Sequence, residues 1–231
     1  MRYKVATSLN GVLNAWCIVY KQYLEASLIS PNEMSVFTFP EYISNNTAVI
    51  LGEKMGKTVC TVSAVLDSVN GLPLDNYYKE DLDLLRNNGK KLIEIGLLAD
   101  ARGTGKLSSI TDLLSSIGRF GVFSDHHDFV VGVHPRRVKF FESIFGFKTL
   151  GSIKGYGKLN TAPVVLLYAH GKDLEVAAKD VNIEIYKDSK DFDFARRYQF
   201  NPNNFISDNE FSESVENFIQ SLWQQKTLQH A

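Results

Sequence analysis

The clearest periodic pattern in the chain runs through residues 92–118. Residues 92–98 form a short apolar run bounded by charge and glycine, which is typical of a buried strand with a parallel neighbour. Apolar side chains then return at the spacing of a single helix face, at Leu107, Ile110, Leu114 and Ile117. The pattern predicts a buried strand followed by a helix that packs on the sheet.

A glycine-containing turn connects this strand to this helix. Its sequence is Asp100-Ala101-Arg102-Gly103-Thr104-Gly105-Lys106, and it leads directly into the helix N-terminus. Free backbone N–H groups and the helix dipole favour a phosphate there, and Arg102 and Lys106 add positive charge. The turn is therefore interpreted either as an anion site or as a plain strand-to-helix connection.

Glu94 is an acidic residue within the apolar strand. Because side chains alternate along a strand, residues 92, 94, 96 and 98 should share one face, and residues 93, 95 and 97 the other. A buried carboxylate needs a partner or a raised pKa, and Gly96 leaves room beside it for a ligand or a bulge. Glu94 is interpreted either as a functional carboxylate or as the partner of an Arg or Lys in the core.

Similar patterns predict the other elements of residues 1–172. Strands are expected at residues 2–6, 129–133, 147–150 and 162–170, and a hairpin at 47–52 and 58–66. Helices are expected at 8–26, at 80–86, and from Pro135 to a C-cap at Gly146. The aromatic-rich residues 33–44 and the loop 152–160 could border a cleft. This order predicts an α/β (α+β) domain with a mixed central sheet flanked by helices.

The pattern changes at residue 173, so residues 173–231 are predicted to form a C-terminal helical extension. An acidic stretch is followed by a capping box at residues 207–210 and by an apolar stripe of helical spacing at Phe211, Val215, Phe218, Ile219 and Leu222. Such a stripe is too apolar to remain in water. It is expected to pack on its own domain, to join a second subunit in a homodimer, or to cover a binding tunnel.

Composition narrows the class of protein. The sequence is 44% hydrophobic and 22% charged, with 15 Phe and 10 Tyr, which is typical of a globular protein with a large core or an apolar cavity. No apolar run approaches the ~18 residues of a membrane span, and the first residues lead into a strand, so a cytoplasmic protein is expected. Cys17 and Cys60 lack the spacing of a metal site, which predicts free buried thiols and no metal.

Charge is distributed unevenly, although the net charge is only −1. Residues 86–158 contain 12 Lys and Arg but only 6 Asp and Glu, so the middle of the chain is basic and its ends are acidic. This distribution favours an anionic ligand or an acidic partner over nucleic acid, for which the chain has no recognised motif.

Two sequence blocks resemble a known family. The predicted order of elements is similar to that of the GNAT acyltransferase fold. Residues 133–151, VHPRRVKFFESIFGFKTLG, and residues 156–167, YGKLNTAPVVLL, resemble the signature of long-chain N-acyl amino acid synthases of the FeeM type, which are relatives of acyl-homoserine-lactone synthases. Residues 23–31 and 71–75 are similar to N-terminal segments of the same family, so the resemblance covers residues 1 to about 170.

The resemblance implies a reaction and its substrates. Enzymes of this family transfer a fatty acyl group from a phosphopantetheine thioester, on acyl carrier protein or coenzyme A, to the α-amine of an amino acid. They hold no permanent cofactor. The alternatives are a lactone synthase, a small-acyl N-acetyltransferase, or a GNAT-like domain that only binds carrier protein or an acyl chain.

Three positions depart from the related sequence patterns. Leu107 stands at the last small position of the glycine turn, and Phe140-Phe141 stands where many GNAT acetyltransferases have a tyrosine as general acid. Val19 stands where the family has an arginine in its first helix. These departures concern the donor phosphate, the acid and the acceptor carboxylate respectively.

Amide formation from a thioester requires a neutral amine, whereas an α-amine has a pKa of about 8 and is mostly protonated at neutral pH. Glu94 is therefore predicted to be the general base, because burial can raise the pKa of a carboxylate toward the working range. Glu25 and His134 are the alternatives. A His before a Pro at a helix start is more commonly an N-terminal cap.

The resemblance also suggests which residues bind the two substrates. The strand around Gly96 could splay from its neighbour and offer backbone N–H groups to the developing oxyanion. The acyl donor is expected at Ile95, Gly96, Leu97, Arg102, Gly103, Thr104, Gly105 and Lys106. The acceptor is expected at Tyr23, Tyr156 and Asn160.

Overall fold

A sheet with helices on both faces accounts for most of the described chain. The computed structural model describes residues 1–6, 8–44, 46–102 and 107–173, together with Asn217 and Ser221. In chain order the elements are β1 (Arg2–Val5), α1 (Leu9–Glu25), β2 (Thr47–Lys54), β3 (Lys57–Leu66), α2 (Asp75–Asn87), β4 (Leu92–Asp100), α3 (Leu107–Phe123), β5 (Asp128–Val133), α4 (Val138–Phe145), β6 (Lys148–Thr149), β7 (Lys154–Tyr156) and β8 (Ala162–His170). Pro40–Tyr42 and Pro135–Arg137 form short 3-10 helices.

The sheet is mixed, as predicted. Its strand order is β1-β2-β3-β4-β5-β8-β6, and β7 also pairs with β8. The β4–β5 pair is parallel and the other described pairs are antiparallel. A parallel connection needs a crossover, and α3 provides it between β4 and β5.

β4 and β5 pair over only part of their length. Their register runs from Leu92 opposite Asp128 to Ile95 opposite Val131, whereas β4 continues to Asp100. In the part of the chain that the structure describes, residues 96–100 of β4 therefore have a strand partner on the β3 side alone. The two strands separate at Gly96, which agrees with the predicted splay.

A bulge in β4 lies immediately after this separation. Ser63 of β3 pairs with Gly96, whereas Thr61 pairs with Ala99, so β4 has one extra residue between these pairs. Leu97 has a φ of +48°, a left-handed conformation that is uncommon for a residue with a side chain. The extra residue reverses the alternation of side chains beyond Gly96.

The predicted division of faces in β4 is therefore wrong from residue 97 onward. Leu97 and Ala99 pack in the same core as Leu92, whereas Leu98 packs with the opposite core. The error follows from strict alternation, which a bulge interrupts. Up to Gly96 the predicted division holds, because Leu92 and Ile93 lie in different cores.

Each face of the sheet has its own apolar core. One core contains α1 and α2, whose largest buried side chains are Leu13, Trp16, Tyr78 and Leu82. The other contains α3 and α4, with Leu114, Ile117, Phe141 and Phe145 among its buried side chains. Leu114 and Ile117 are on the apolar stripe that the sequence predicts for α3, so helix periodicity identifies that packed face correctly.

The ends of the elements differ from the prediction in several places. α2 begins at Asp75 instead of residue 80, and α4 begins at Val138 because Pro135–Arg137 forms a 3-10 turn. The strand predicted at 147–150 is only Lys148–Thr149, and the predicted loop 152–160 contains β7. Gly146 has a φ of +67° and is the predicted C-cap of α4.

Other sequence predictions have mixed outcomes. Cys17 and Cys60 are both free, but Cys60 is buried and Cys17 is only half-buried. Within the described residues, no helix combines the length and the apolar character needed to cross a bilayer. The C-terminal stripe, and hence the division at residue 173, lies outside the described residues apart from Asn217 and Ser221.

Candidate active site

Glu94 is buried in the sheet, where it accepts hydrogen bonds from two donors. Its side chain is 1% exposed. Oε1 accepts a hydrogen bond from the Tyr42 hydroxyl at 2.9 Å, and Oε2 accepts one from the backbone N–H of Leu74 at 2.8 Å. Among the described residues no ion pair includes Glu94, so none of them is the Arg or Lys partner that the sequence left as an alternative.

Burial dominates the electrostatics of this carboxyl group. Loss of hydration raises the pKa of Glu94 to about 8, although the hydrogen bonds from Leu74 and Tyr42 oppose that shift. Asp75 and Glu41 raise the pKa slightly further by charge repulsion. The carboxyl group of Glu94 can therefore change its protonation state near neutral pH, whereas an ordinary surface Glu stays ionised there.

Tyr42 fills the space beside Gly96. A Cβ atom added to Gly96 would lie 1.7 Å from the Tyr42 hydroxyl oxygen, so glycine is needed for the phenol to reach Glu94. Tyr42 itself is 3% exposed. The sequence predicts a bulge or room for a ligand at this point; the bulge is confirmed, and the adjacent space is occupied by the phenol.

Two short segments bring these donors to Glu94. The 3-10 turn that begins at Pro40 places Tyr42 over β4, with the Tyr42 N–H donating to the Phe39 carbonyl. In residues 71–75, the Leu72 N–H donates to the Asp75 carboxylate at 2.6 Å, and Arg86 holds that carboxylate from the other side. This turn directs the Leu74 N–H at Glu94.

An aromatic cluster, defined here as Tyr23, Phe37, Phe39, Tyr42, Tyr77 and Tyr156, lies next to Glu94. Phe39 contacts Tyr42 and Tyr156, with ring centroids 6.0 and 5.8 Å apart, and Tyr156 stacks on Tyr77 at 4.4 Å. Tyr23 joins through Phe37 at 5.7 Å. The cluster thus brings the predicted acceptor residues Tyr23 and Tyr156 close to Glu94.

The phenols of Tyr23, Tyr42 and Tyr156 are neutral at physiological pH. Burial raises the pKa of Tyr23 to about 12. Burial and the nearby Glu94 charge raise the pKa of both Tyr42 and Tyr156 above the usual range. They can therefore donate hydrogen bonds and also accept them.

Asn160, the third predicted acceptor residue, lies apart from this cluster. It is exposed, and its Nδ2 donates to the Ser27 carbonyl at 3.0 Å, which ties the β7–β8 loop to the end of α1. Glu25 is also exposed at the end of α1 and accepts a hydrogen bond from Gln22. Neither side chain contacts Glu94 in the described hydrogen bonds.

His134 is an N-terminal cap. It is exposed, and its Nδ1 accepts a hydrogen bond from the Arg136 N–H at 3.2 Å at the start of the Pro135–Arg137 turn. This is the more common of the two roles considered for it. The structure therefore separates His134 and Glu25 from the buried carboxylate.

The predicted donor residues lie along β4 and beyond it. Ile95 is buried against α3 and α4, and Leu97 is buried on the α1 side, so their backbones border the gap between β4 and β5. Arg102 donates from Nε and Nη2 to Asp100, at 2.8 and 2.7 Å. Gly103, Thr104, Gly105 and Lys106 lie outside the described residues.

Sequence reasoning missed two of the groups at the site. Tyr42 could have been suspected from the aromatic-rich segment 33–44, but nothing in that segment distinguishes it from Phe37 or Phe39. The Leu74 contribution is a backbone N–H, which leaves no trace in residue type. Only the Asp75 partner of the same turn gives a sequence signal.

The fold is similar to that of several solved structures. FeeM, an N-acyl amino acid synthase from uncultured soil microbes, is 19% identical, with a TM-score of 0.65 over 77% of this chain and 99% of that chain. TofI, solved with an inhibitor and MTA, is 12% identical, with a TM-score of 0.60 over 78% and 97%. BjaI, a CoA-dependent acyl-homoserine lactone synthase, is 11% identical, with a TM-score of 0.58 over 85% and 100%.

Sequence comparison identifies the family. No curated protein sequence matches the chain significantly. The family model described as N-acyl amino acid synthase FeeM matches residues 14–170, which include most of α1, Tyr42, the 71–75 turn, Glu94 and the β4 bulge. The chain therefore belongs to the FeeM family of N-acyl amino acid synthases, acyltransferases of GNAT-like fold that transfer an acyl group to an amino acid.

Proposed function

We propose that Glu94 is the general base of this acyl transfer, receiving a proton from the α-amine of the amino acid as it attacks the acyl thioester. The observation that supports the proposal is a carboxylate that is 1% exposed, has no cation among the described residues, and has a pKa raised to about 8. A base of that pKa matches an amine whose own pKa is about 8.

The donor thioester is proposed to lie along β4 from Gly96 toward Arg102. β5 has left β4 by Gly96, and the bulge at Leu97 turns the backbone away from regular pairing. Backbone N–H groups near the bulge are well suited to hold a thioester oxygen as it becomes an oxyanion. The bulge at Leu97, three residues beyond Glu94, thus supports a base and an oxyanion donor on one strand.

The phosphate of the donor is proposed to bind at Arg102 and the turn 103–106. The charges and the helix start support this part of the proposal. The Asp100 carboxylate competes for the Arg102 guanidinium, because it accepts two hydrogen bonds from it. Donor binding would therefore have to share or displace the Asp100 contact.

The acceptor is proposed to bind beside the aromatic cluster. Tyr23 and Tyr156 belong to the aromatic cluster that reaches Glu94 through Tyr42. Their phenols remain neutral and can donate hydrogen bonds. Val19, at the family's arginine position, is fully buried and cannot bind a carboxylate. Asn160 anchors the β7–β8 loop to Ser27. We propose that it affects acceptor binding only by holding this loop in place.

Acyl carrier protein is proposed as the carrier of the acyl group. The basic middle of the sequence supports an acidic partner. Transfer from acyl carrier protein should then become slower as salt rises from 0.05 to 0.5 M, by roughly tenfold, because exposed charges are screened. Transfer from acyl-CoA serves as the control, and equal salt responses would contradict a carrier-protein docking face.

The domain division at residue 173 and the role of the extension are also proposals. The apolar stripe at residues 211–222 supports packing in cis, across a homodimer, or over the acyl tunnel. Deleting residues 207–231 separates these cases by loss of solubility, a dimer-to-monomer change in mass, or a changed acyl-chain preference. A truncated protein unchanged in all three respects would contradict each of them.

Glu94→Gln tests the catalytic proposal directly. Gln has nearly the same shape, and its amide can still accept from Leu74 and donate to the Tyr42 oxygen, so the fold should be kept. We expect turnover to fall by ~100-fold or more, because the variant cannot take up a proton. Glu80→Gln, at an exposed position in α2, is the matched control and should leave turnover unchanged.

Product formation in this test should be followed by mass spectrometry with acyl thioesters and pooled amino acids. Glu94→Gln turning over at nearly the rate of the parent, with an unchanged melting temperature, would remove Glu94 from the chemical step. Glu25→Gln would then be the next variant to measure.

A further inference from the structure

The Tyr42 hydroxyl contacts both Glu94 and Gly96, the residue at which β4 and β5 diverge. It bonds to Glu94 Oε1 at 2.9 Å, and it lies against Gly96, the first residue of β4 beyond the last pair with β5. Glu94 and Tyr42 are 1% and 3% exposed, so both are shielded from solvent. Because the hydroxyl group contacts both Oε1 and Gly96, it offers a path for a proton between the gap and Oε1.

The two donors to Glu94 differ in what they can do with a proton. The Leu74 backbone N–H only donates a hydrogen bond. The Tyr42 hydroxyl donates to Oε1, and its oxygen keeps lone pairs that can accept a proton from another group. Of the two neighbours, only Tyr42 can pass a proton on.

We propose that Tyr42 is a catalytic residue whose hydroxyl group relays the proton between the acceptor amine and Glu94. This inference rests on the proposed role of Glu94 as general base, and it specifies the path that the proton takes.

The relay balances over one reaction cycle. A C–N bond forms between the neutral amine and the thioester carbonyl carbon, and an N–H proton passes to the Tyr42 oxygen while the Tyr42 hydroxyl proton passes to Glu94 Oε1. The C–S bond breaks, and the thiolate leaves with the bonding electron pair. The proton then returns from Glu94 through the same hydroxyl to the sulfur, so the products are an amide and a thiol.

The environment of Tyr42 favours a concerted transfer. Burial and the charge of Glu94 raise the pKa of the phenol well above its usual value, so a free tyrosinate is disfavoured. A hydroxyl group that gains one proton as it loses another stays neutral throughout. The 3-10 turn and the Phe39 ring fix the phenol in position, so little reorganisation is needed.

Tyr42→Phe is the direct test, because it removes the hydroxyl and keeps the ring. Tyr168→Phe is a matched control: its hydroxyl also donates to a carboxylate, Asp128, at 2.7 Å, but this pair lies at the start of β5, away from the bulge. We expect kcat/KM to fall by ~100-fold or more for Tyr42→Phe and to change less than ~threefold for Tyr168→Phe. Melting temperatures of the two variants should fall by similar small amounts.

The double variant Tyr42→Phe/Glu94→Gln distinguishes a relay from two separate contributions. Residues that act as a unit give non-additive losses, so the double variant should be about as slow as the slower single variant. Independent roles would multiply the two losses to about 10⁴-fold. Multiplied losses would overturn the relay.

The single variants distinguish the proposed relay through Tyr42 from the proposed role of Glu94 as general base. Glu94→Gln at least 100-fold slower, with Tyr42→Phe near the parent rate or faster, would overturn the relay and leave Glu94 as a base that acts directly. Glu94→Gln near the parent rate would overturn both.

A measurement on the unaltered protein does not depend on how the variants fold. In single-turnover acyl transfer in H2O/D2O mixtures, a relay moves two protons in the transition state and should give a rate that curves with the deuterium fraction. A straight line, which indicates a single transferring proton, would overturn the relay.

Discussion

Residues 71–75 contact a group of three aspartates and, separately, Glu94, and among the described residues only the aspartates have a cation as partner. Arg86 donates to Asp67, Asp75 and Asp83 at 2.6 to 2.7 Å, so three acidic groups share one guanidinium. Glu94 instead has a phenol and a backbone N–H. Asp75 belongs to the first group, and its neighbour Leu74 contacts the second. The first group holds the turn, and the second keeps a carboxyl group that can change its protonation state.

Asp83 and Glu94 should respond to pH in opposite directions. Hydrogen bonds from Lys79 and Arg86 lower the pKa of Asp83, so its contribution to stability is present above its ordinary pKa and is lost as pH falls. Burial raises the pKa of Glu94 to about 8, so its contribution is present at low pH and is lost as pH rises toward 8. A neighbouring cation thus makes the fold favour the ionised carboxylate, whereas burial without one makes it favour the neutral carboxyl group.

The largest effect should come from removing that cation. Arg86→Met leaves Asp67 and Asp75 without their cation and frees the turn that carries Leu74, so we expect the free energy of unfolding to fall by about 3 kcal/mol. Urea denaturation measures the change. Lys79→Met is the control, because Lys79 is an exposed partner of Asp83 and its loss should lower the free energy of unfolding much less than the loss of Arg86. Equal losses in the two variants would mean that Arg86 does not organise this turn.

Gly96→Ala should be the next largest effect, and it tests the packing of the other group. The new methyl group would lie 1.7 Å from the Tyr42 oxygen, so the phenol or the strand must move. We expect a loss of about 2 kcal/mol in unfolding free energy and a loss of the Tyr42–Glu94 hydrogen bond. Gly118→Ala is the control, because a Cβ there meets no atom within 4 Å and should stabilise α3 by up to ~1 kcal/mol. A stable, active Gly96→Ala would show that Tyr42 does not need this position.

The pH dependence of stability should reveal the carboxyl group of Glu94 itself. Because the pKa is raised from an ordinary 4.5 to about 8, the native state holds a proton that the unfolded chain releases between these values. The parent should therefore lose stability relative to Glu94→Gln as pH rises through this window, by at most ~1.4 kcal/mol per pH unit. Denaturant midpoints of both proteins from pH 5 to pH 8 provide the measurement. A constant difference would mean that Glu94 is ionised throughout.

Much of the fold could be predicted because it follows from periodicity. The stripes at Ile117 and Phe141 repeat at helical spacing, and the apolar run from Leu92 to Ile95 obeys strand alternation, so each indicates its own packed face. The bulge at Leu97 could not be located in this way. Its position depends on which residues of β3 pair with β4, and Ser63 and Thr61 show no local sign of the shift.

The site could be predicted only in part for the same reason. Glu94 was identifiable because an acidic residue in an apolar strand contradicts its surroundings. Its partner Tyr42 is 52 residues away in the chain, in a segment with several aromatic residues, and a contact across that distance is set by tertiary packing. The positive charge of Arg102 is evident from the sequence, whereas its ion pair with Asp100, two residues earlier, is evident only from the structure.

The ion pair between Arg102 and Asp100 is a third case for comparison, in which one carboxylate has one cation at the edge of the proposed donor site. Removing this pair should give the smallest of the predicted effects. Asp100→Asn releases the Arg102 guanidinium, so the KM for the acyl donor should fall by about threefold, as expected for loss of a partly exposed pair. Arg102→Ala should raise the donor KM, and neither variant should change the acceptor KM. Glu53→Gln is the control. It removes the ion pair between Glu53 of β2 and Lys4 of β1, and it should change neither the donor KM nor the acceptor KM. A change confined to the acceptor KM would move Arg102 to the acceptor side of the gap.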